Sequence, residues 1–234
     1  MTICNTPHPA KYNDRLLPYL ERAVCPPEFG DGYFPKVLDP FGGTGKLKEI
    51  FPYAVCLDIE PEWGAMCGLQ SNALRLPFPN ASFDVVCTSP TYGNRMADHF
   101  DAKDNSKRMT YKHTIGHDLN EDNSGRMNWG DKYRDFHEKA WEEVSRVLKP
   151  GGRLVLNIKN HIRGGEEIDV VSFHRQFLLN SLWYRLLSNV KVEVPSNRFG
   201  KNGEARVEWE HILVFERWYY LNTMYLNRVG NNNK

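Results

Sequence analysis

The stretch Lys36-Val37-Leu38-Asp39-Pro40-Phe41-Gly42-Gly43-Thr44-Gly45 decides the fold. Its short apolar run reads as a buried strand, and the glycines after it permit a tight hand-over into a helix expected near Lys46. A Pro/Gly-rich connector at 26–35 precedes it. Beyond it, Tyr53-Ala54-Val55-Cys56-Leu57-Asp58 reads as a second strand and Pro61 opens a short helix. Phe83-Asp84-Val85-Val86-Cys87 is a third strand, ending at Thr88-Ser89-Pro90. From Asp131 apolar residues recur at helical spacing (Phe136, Ala140, Trp141, Val144, Val147, Leu148) until Pro150-Gly151-Gly152 stops them. Residues 153–158 read as a strand and 170–187 as a helix, while 190–194 and 207–215 read as two strands of an antiparallel hairpin at the sheet edge. Strand alternating with helix in this way predicts an α/β fold, a mostly parallel sheet with helices on both faces.

The 234 residues suit one domain, taken as 1–234. Within it the polar stretch at about 93–130 is too long for an ordinary loop and reads as a substrate-facing insertion. No apolar run is long enough to cross a bilayer, and the segment 1–9 lacks both a basic start and a following apolar stretch, so a cytoplasmic protein is expected. The five cysteines are scattered without a C-x-x-C pair, which predicts buried thiols and no metal site. A net charge of +1 excludes binding a polyanion through a global basic excess. The local candidates are Lys103, Lys107, Arg108 and Lys112, flanked by Arg95 and Arg126. Because Asp98, Asp101, Asp104, Glu121 and Asp122 are interleaved with them, a solvated mixed-charge loop is an equal reading. There is no internal repeat, and residues 230–234 have the composition of a disordered tail.

Open α/β sheets bind ligands beyond the carboxyl ends of their strands, which is where Asp39, Pro40, Phe41, Gly42, Gly43, Thr44 and Gly45 sit. A glycine-rich turn alone is a weak signal; the aspartate makes it informative. A carboxylate opening the turn would repel a dinucleotide pyrophosphate, whereas an amino-acid moiety has an ammonium for Asp39 to hold. This favours S-adenosylmethionine over NAD as cofactor. Asp58 closes the next strand about twenty residues on, the distance at which an acidic side chain commonly accepts from a ribose diol; Glu60 is the near alternative. Ile59 and Trp63 are candidates to lie against an adenine ring. Asn72, next to Ala73, is a candidate for its polar edge or simply a turn-forming asparagine.

Thr88-Ser89-Pro90-Thr91-Tyr92 resembles the (Ser/Asp/Asn)-Pro-Pro-(Tyr/Phe) signature of S-adenosylmethionine-dependent DNA amino-methyltransferases, which modify the exocyclic amine of cytosine or adenine. Pro7-His8-Pro9-Ala10 resembles that family's segment beside the methionine pocket, and residues 37–45 resemble its first motif. Residues 146–152 are similar to its later helix-turn-strand, and Glu210-His211-Ile212-Leu213-Val214-Phe215 to its last strand. The resemblance covers nearly the whole chain. It implies the class I methyltransferase (Rossmann-like) fold, a seven-stranded sheet with a reversed final strand.

The chemistry accounts for the residue types. An exocyclic amine is a poor nucleophile because its lone pair is delocalised into the ring. Acceptors on the amino hydrogens localise that pair toward the methyl donor, and proximity supplies the rest. The Ser89 hydroxyl and the Pro90 carbonyl are the expected acceptors, with Tyr92 stacking on a base rotated out of its helix. The family's second proline is Thr91 here, and a serine at the first position leans toward cytosine. Thr91, Arg95, Lys107, Arg108 and Lys112 are the expected substrate contacts, DNA the expected partner, and restriction-modification the family's associated role. The rival readings are an RNA methyltransferase acting on guanosine, which a Pro-Pro-Tyr-Gly turn would also fit, an inactive binding module on the same fold, and a small-molecule methyltransferase.

Overall fold

The computed structural model describes residues 12–27, 30, 32, 34–93, 111–195 and 206–218. In chain order these form α1 (Leu17–Val24), β1 (Val37–Asp39), β2 (Val55–Cys56), α2 (Pro61–Cys67), β3 (Phe83–Thr88), α3 (Tyr111–Ile115) and α4 (Asp131–Val147). There follow β4 (Leu148–Ile158), β5 (His161–Arg163), β6 (Glu166–Ile168), α5 (Val170–Asn180), β7 (Tyr184–Glu193) and β8 (Trp209–Arg217).

Six strands make one sheet in the order β2-β1-β3-β4-β8-β7. The first four are parallel, and β8 runs antiparallel between β4 and β7. A single parallel bridge from Asp58 to Gln70 extends the β2 edge by one more place. The architecture is the mostly parallel α/β sheet with an antiparallel C-terminal hairpin that the sequence predicts, with six strands among the described residues in place of seven because the seventh place is held by that single bridge.

Alternate residues of each strand feed two cores. Leu38, Val86, Leu154, Leu156, Leu213 and Phe215 face Trp141, Val144 and Val147 of α4 and Val171 and Leu178 of α5. Val37, Val85, Cys87, Val155, Ile212 and Val214 face Leu20 and Val24 of α1. Period-2 alternation in the strands and i, i+3, i+4 spacing in α4 are what put helices on both faces. Each fully buried large side chain, such as Trp141, contributes roughly 1.5–3 kcal/mol.

Four elements depart from the sequence reading. The helix expected at Lys46 is a single 3-10 turn, Lys46–Glu49, because the next strand begins too soon for a longer crossover. The second strand shrinks to Val55–Cys56. The helix expected over 170–187 ends at Asn180, and the chain turns at Trp183, which has φ +57°, into β7. Leu182, Tyr184, Leu186 and Leu187 fit either periodicity, and antiparallel pairing with β8 decides for strand. The small β5–β6 hairpin carried no strong pattern and was not anticipated.

Candidate active site

Because β1 and β3 are parallel neighbours, with Leu38 paired to Val86, the turns that follow them open on the same end of the sheet. Between them lies a cavity of about 250 Å³. Gly42, Gly43, Thr44 and Asp58 line one end, and Ser89, Pro90, Thr91 and Tyr92 the other. Gly42 is required by packing: a Cβ there would lie 2.8 Å from the Cys56 Cβ, so any larger residue would push the turn away from β2.

At the glycine end two carboxylates are held by the turn itself. Asp58 accepts the Gly43 amide (3.1 Å) on one oxygen and the Glu60 amide (2.9 Å) on the other, and its side chain faces the cavity. Burial pushes its carboxyl up to about 7, with the amides of Glu60 and Gly43 acting against the rise. Asp39 is fully buried behind the lining. Its Oδ1 accepts from the Thr88 hydroxyl at 2.6 Å and the Phe41 amide at 3.1 Å, while the Tyr12 hydroxyl lies 3.4 Å from Oδ2. Burial raises Asp39 to about 6, opposed by those bonds. Both carboxyls are raised, and a positively charged ligand group placed beside them would favour their ionisation.

At the other end, the Ser89 and Tyr92 hydroxyls are 3.1 Å apart. The Asn157 amide of β4 lies 3.3 Å from the first and 3.4 Å from the second, and donates at 2.9 Å to Glu210 of β8. Burial and then the charge of Glu210 push the Tyr92 phenol well up, which keeps it protonated. Behind the loop runs a one-way chain of donors. Trp141 Nε1 donates to His174 Nδ1 at 2.9 Å, so His174 carries its proton on Nε2, which lies 3.0 Å from the Tyr133 hydroxyl; that hydroxyl donates to the Thr91 carbonyl at 2.7 Å. Thr91 also donates from its hydroxyl to Ser124 at 2.8 Å. The loop that lacks a second proline is thus held by hydrogen bonds.

The described part of the 93–130 insertion packs back over the cavity, placing Tyr111, Asn123 and Ser124 in its wall. Glu60 anchors it, accepting the Asn120 amide at 2.8 Å and the Asn123 side-chain amide at 2.7 Å. That duty replaces the ribose contact considered for Glu60 as an alternative to Asp58. Trp63 and Tyr111 meet edge to face at 5.3 Å beside Ile59.

Most of the expected site residues meet here. Pro40, Phe41, Gly42, Gly43, Thr44, Asp58, Ile59, Asn72, Ala73 and the Ser89–Tyr92 turn all line the cavity. Asp39 lies under it, and Gly45, with φ +77°, starts the following 3-10 turn. Asn72 is engaged within the protein, donating to Asp122 at 2.8 Å and accepting the Leu74 amide at 2.8 Å, as a turn-forming asparagine does. Lys112 falls in α3, with its backbone alone described. Arg95, Lys107, Arg108 and the 7–10 segment lie outside the described residues. Sequence reasoning missed Tyr12, Phe136, Asn157 and Glu210, which also line the cavity. Only Glu210 carried a signal, as the head of the strand likened to the family's last one.

The fold is that of the class I methyltransferases, as comparison with solved structures shows. Over 87% of this chain and 94% of that one, the structure is similar to the N-methyltransferase NodS from Bradyrhizobium japonicum, with a TM-score of 0.51 and 11% identity. NodS in complex with S-adenosyl-L-homocysteine gives a TM-score of 0.50 at 11% identity over 91% and 92% of the two chains. The PH0226 protein of Pyrococcus horikoshii covers 87% and 88%, with 15% identity and a TM-score of 0.48. No curated protein matches the sequence. A family model described as DNA methylase matches residues 83–232, and the chain belongs to that family. The match begins at β3 and so takes in the Ser89–Tyr92 turn, Asn157 and Glu210.

Proposed function

We propose that the protein transfers the methyl group of S-adenosylmethionine to an exocyclic amino group of a DNA base, cytosine ahead of adenine. The carrying observation is that the Gly42–Thr44 turn with Asp58 and the Ser89–Tyr92 turn share one cavity. The cavity suits the cofactor chemically. Asp58 faces it as an acceptor for a ribose diol, Ile59, Trp63 and Ala73 offer apolar contact to an adenine, and the Gly43–Thr44 turn leaves room for an amino-acid tail. Asp39, below the floor, supplies negative charge for the tail's ammonium. Once bound, the cofactor supplies an electrophilic methyl on a sulfonium.

The chain's own groups prepare the amine. Ser89 and the Pro90 carbonyl accept its hydrogens and so return electron density to the nitrogen. Tyr92 forms the neighbouring wall against which an unstacked base rests. The match to the DNA methylase family supports DNA as the partner, and the basic residues Arg95, Lys107, Arg108 and Lys112 are the proposed contacts to its backbone.

The test is incorporation of labelled methyl from S-adenosylmethionine into DNA, tRNA and free nucleosides in parallel. Label in DNA, released as methylated cytosine on hydrolysis, is the expected result. Label in tRNA alone moves the substrate to RNA, and label in none of them refutes the proposal.

A further inference from the structure

Transfer of a methyl to an exocyclic amine leaves the nitrogen with one proton too many. Its lone pair forms the new bond to the methyl carbon, the sulfur keeps the electrons of the broken carbon–sulfur bond, and one N–H bond must then give its electron pair back to nitrogen. Ser89, Tyr92 and the Pro90 carbonyl are weak bases, suited to accept hydrogen bonds but not to retain a proton.

We propose that the carboxylate of Glu210 takes that proton. Glu210 is the second residue of β8 and lines the cavity, with its side chain 12% exposed. Two other acidic residues line the described cavity; Asp58 is bound to the glycine turn and Asp122 to Asn72. Glu210 alone of the three joins the Ser89 network, through the Asn157 amide that spans Glu210, Ser89 and Tyr92. Asn157 is 1% exposed, and its Nδ2 is the hydrogen-bond donor that fixes one carboxylate oxygen. The other oxygen is ion-paired with Lys159 Nζ at 3.9 Å, a separation longer than a hydrogen bond, which leaves it a lone pair for the proton. The partial exposure of Glu210 lets the proton pass on to solvent after each turnover. Asn157 is then a positioning residue: its Nδ2 holds the base beside Ser89.

This inference rests on the amine-methylation reading above, and the experiment separates the two. E210Q keeps the size of the side chain and can still accept from Asn157, but it cannot take a proton. On DNA that the wild type labels, kcat of E210Q is expected to fall at least about 100-fold. The calorimetric Kd for S-adenosylmethionine and the melting temperature are expected to stay unchanged. A kcat within about threefold of wild type overturns the proposal and leaves the amine reading intact. Loss of cofactor affinity or of folding together with rate also overturns it, since Glu210 would then be structural. Wild-type protein that labels no nucleic acid overturns both.

Discussion

At the Asp58 end of the cavity most of the polar groups come from two neighbouring strand ends and their own backbone amides, Gly43, Phe41 and Glu60 among them, with Thr88 of β3 and Tyr12 reaching Asp39 from more distant parts of the chain. At the Ser89 end they come from the β3 turn, α4, β4, α5 and β8, elements spread over more than half of the chain. One end is built largely by a turn folding over its own carboxylates. The other is assembled by tertiary contact. Substitutions at the local end should therefore act on cofactor affinity, and those at the assembled end on turnover.

The largest expected effect is that of Ser89→Ala, which removes an acceptor from the reacting amine. A loss of roughly 100- to 1,000-fold in kcat is expected, with calorimetric affinity for S-adenosylmethionine unchanged. Equal losses in both would erase the distinction between the two ends. Next is Asp39→Ala, for which cofactor affinity should fall by about 100-fold, since an interaction with a charged partner is worth about 1.5–3 kcal/mol. Identical cofactor affinity in wild type and variant would refute the assignment of Asp39.

Tyr133→Phe sharpens the comparison from the far side. It cuts the donor chain from Trp141 through His174 to the Thr91 carbonyl and leaves buried polar groups unpaired, which costs about 1–3 kcal/mol of stability. A fall of about tenfold in kcat with unchanged cofactor affinity is expected, read by single-turnover labelling and by thermal melting. A variant with wild-type turnover would show that the loop needs no such support.

The smallest effect concerns pH, where the two ends should differ in sign. Asp39 and Asp58 are raised, to about 6 and about 7, so the fold favours their neutral forms. Their contribution to stability is full below the unfolded value of about 3.9 and is lost as pH rises through 6 and 7. His137, lowered to about 4, and His174, lowered well below its usual range, are both driven by burial and are also held neutral. Their contribution is full above about 6.5 and is lost as pH falls toward 4. In denaturant titrations of the ligand-free protein, Asp58→Asn should therefore lose part of the stability gained between pH 8 and pH 5. Because Asp58 keeps part of its surface in the cavity, solvent limits the size of that change.

The glycine turn, the Asp39 and Asp58 carboxylates and the Ser89–Tyr92 turn were legible in the sequence because each sits at the end of a short apolar strand, and strand ends in a parallel sheet converge. The helix over 131–147 was legible from its spacing. The second part of β7 was legible as a strand at 190–194, but its first residues, 184–187, read as helix because an apolar run flanked by no strong breaker fits both periods, and only pairing with β8 resolved it. Asn157 and Glu210 carried no role in the sequence because they lie 68 and 121 residues from Ser89, at strand positions where the pattern reports burial and says nothing of what a polar side chain touches.

The sequence by itself determined the α/β class, the strand ends that bear the chemistry and the family these resemble, since periodicity and turn composition are local properties of the chain. The tertiary structure alone decided which side chains complete the reacting end. It also showed that Glu60 anchors the insertion and that Tyr133 and Thr91 hold a loop the sequence left without its second proline. A hydrogen bond needs its partners within about 3 Å and in line, and the distance along the chain between residues that meet across a sheet carries no record of that.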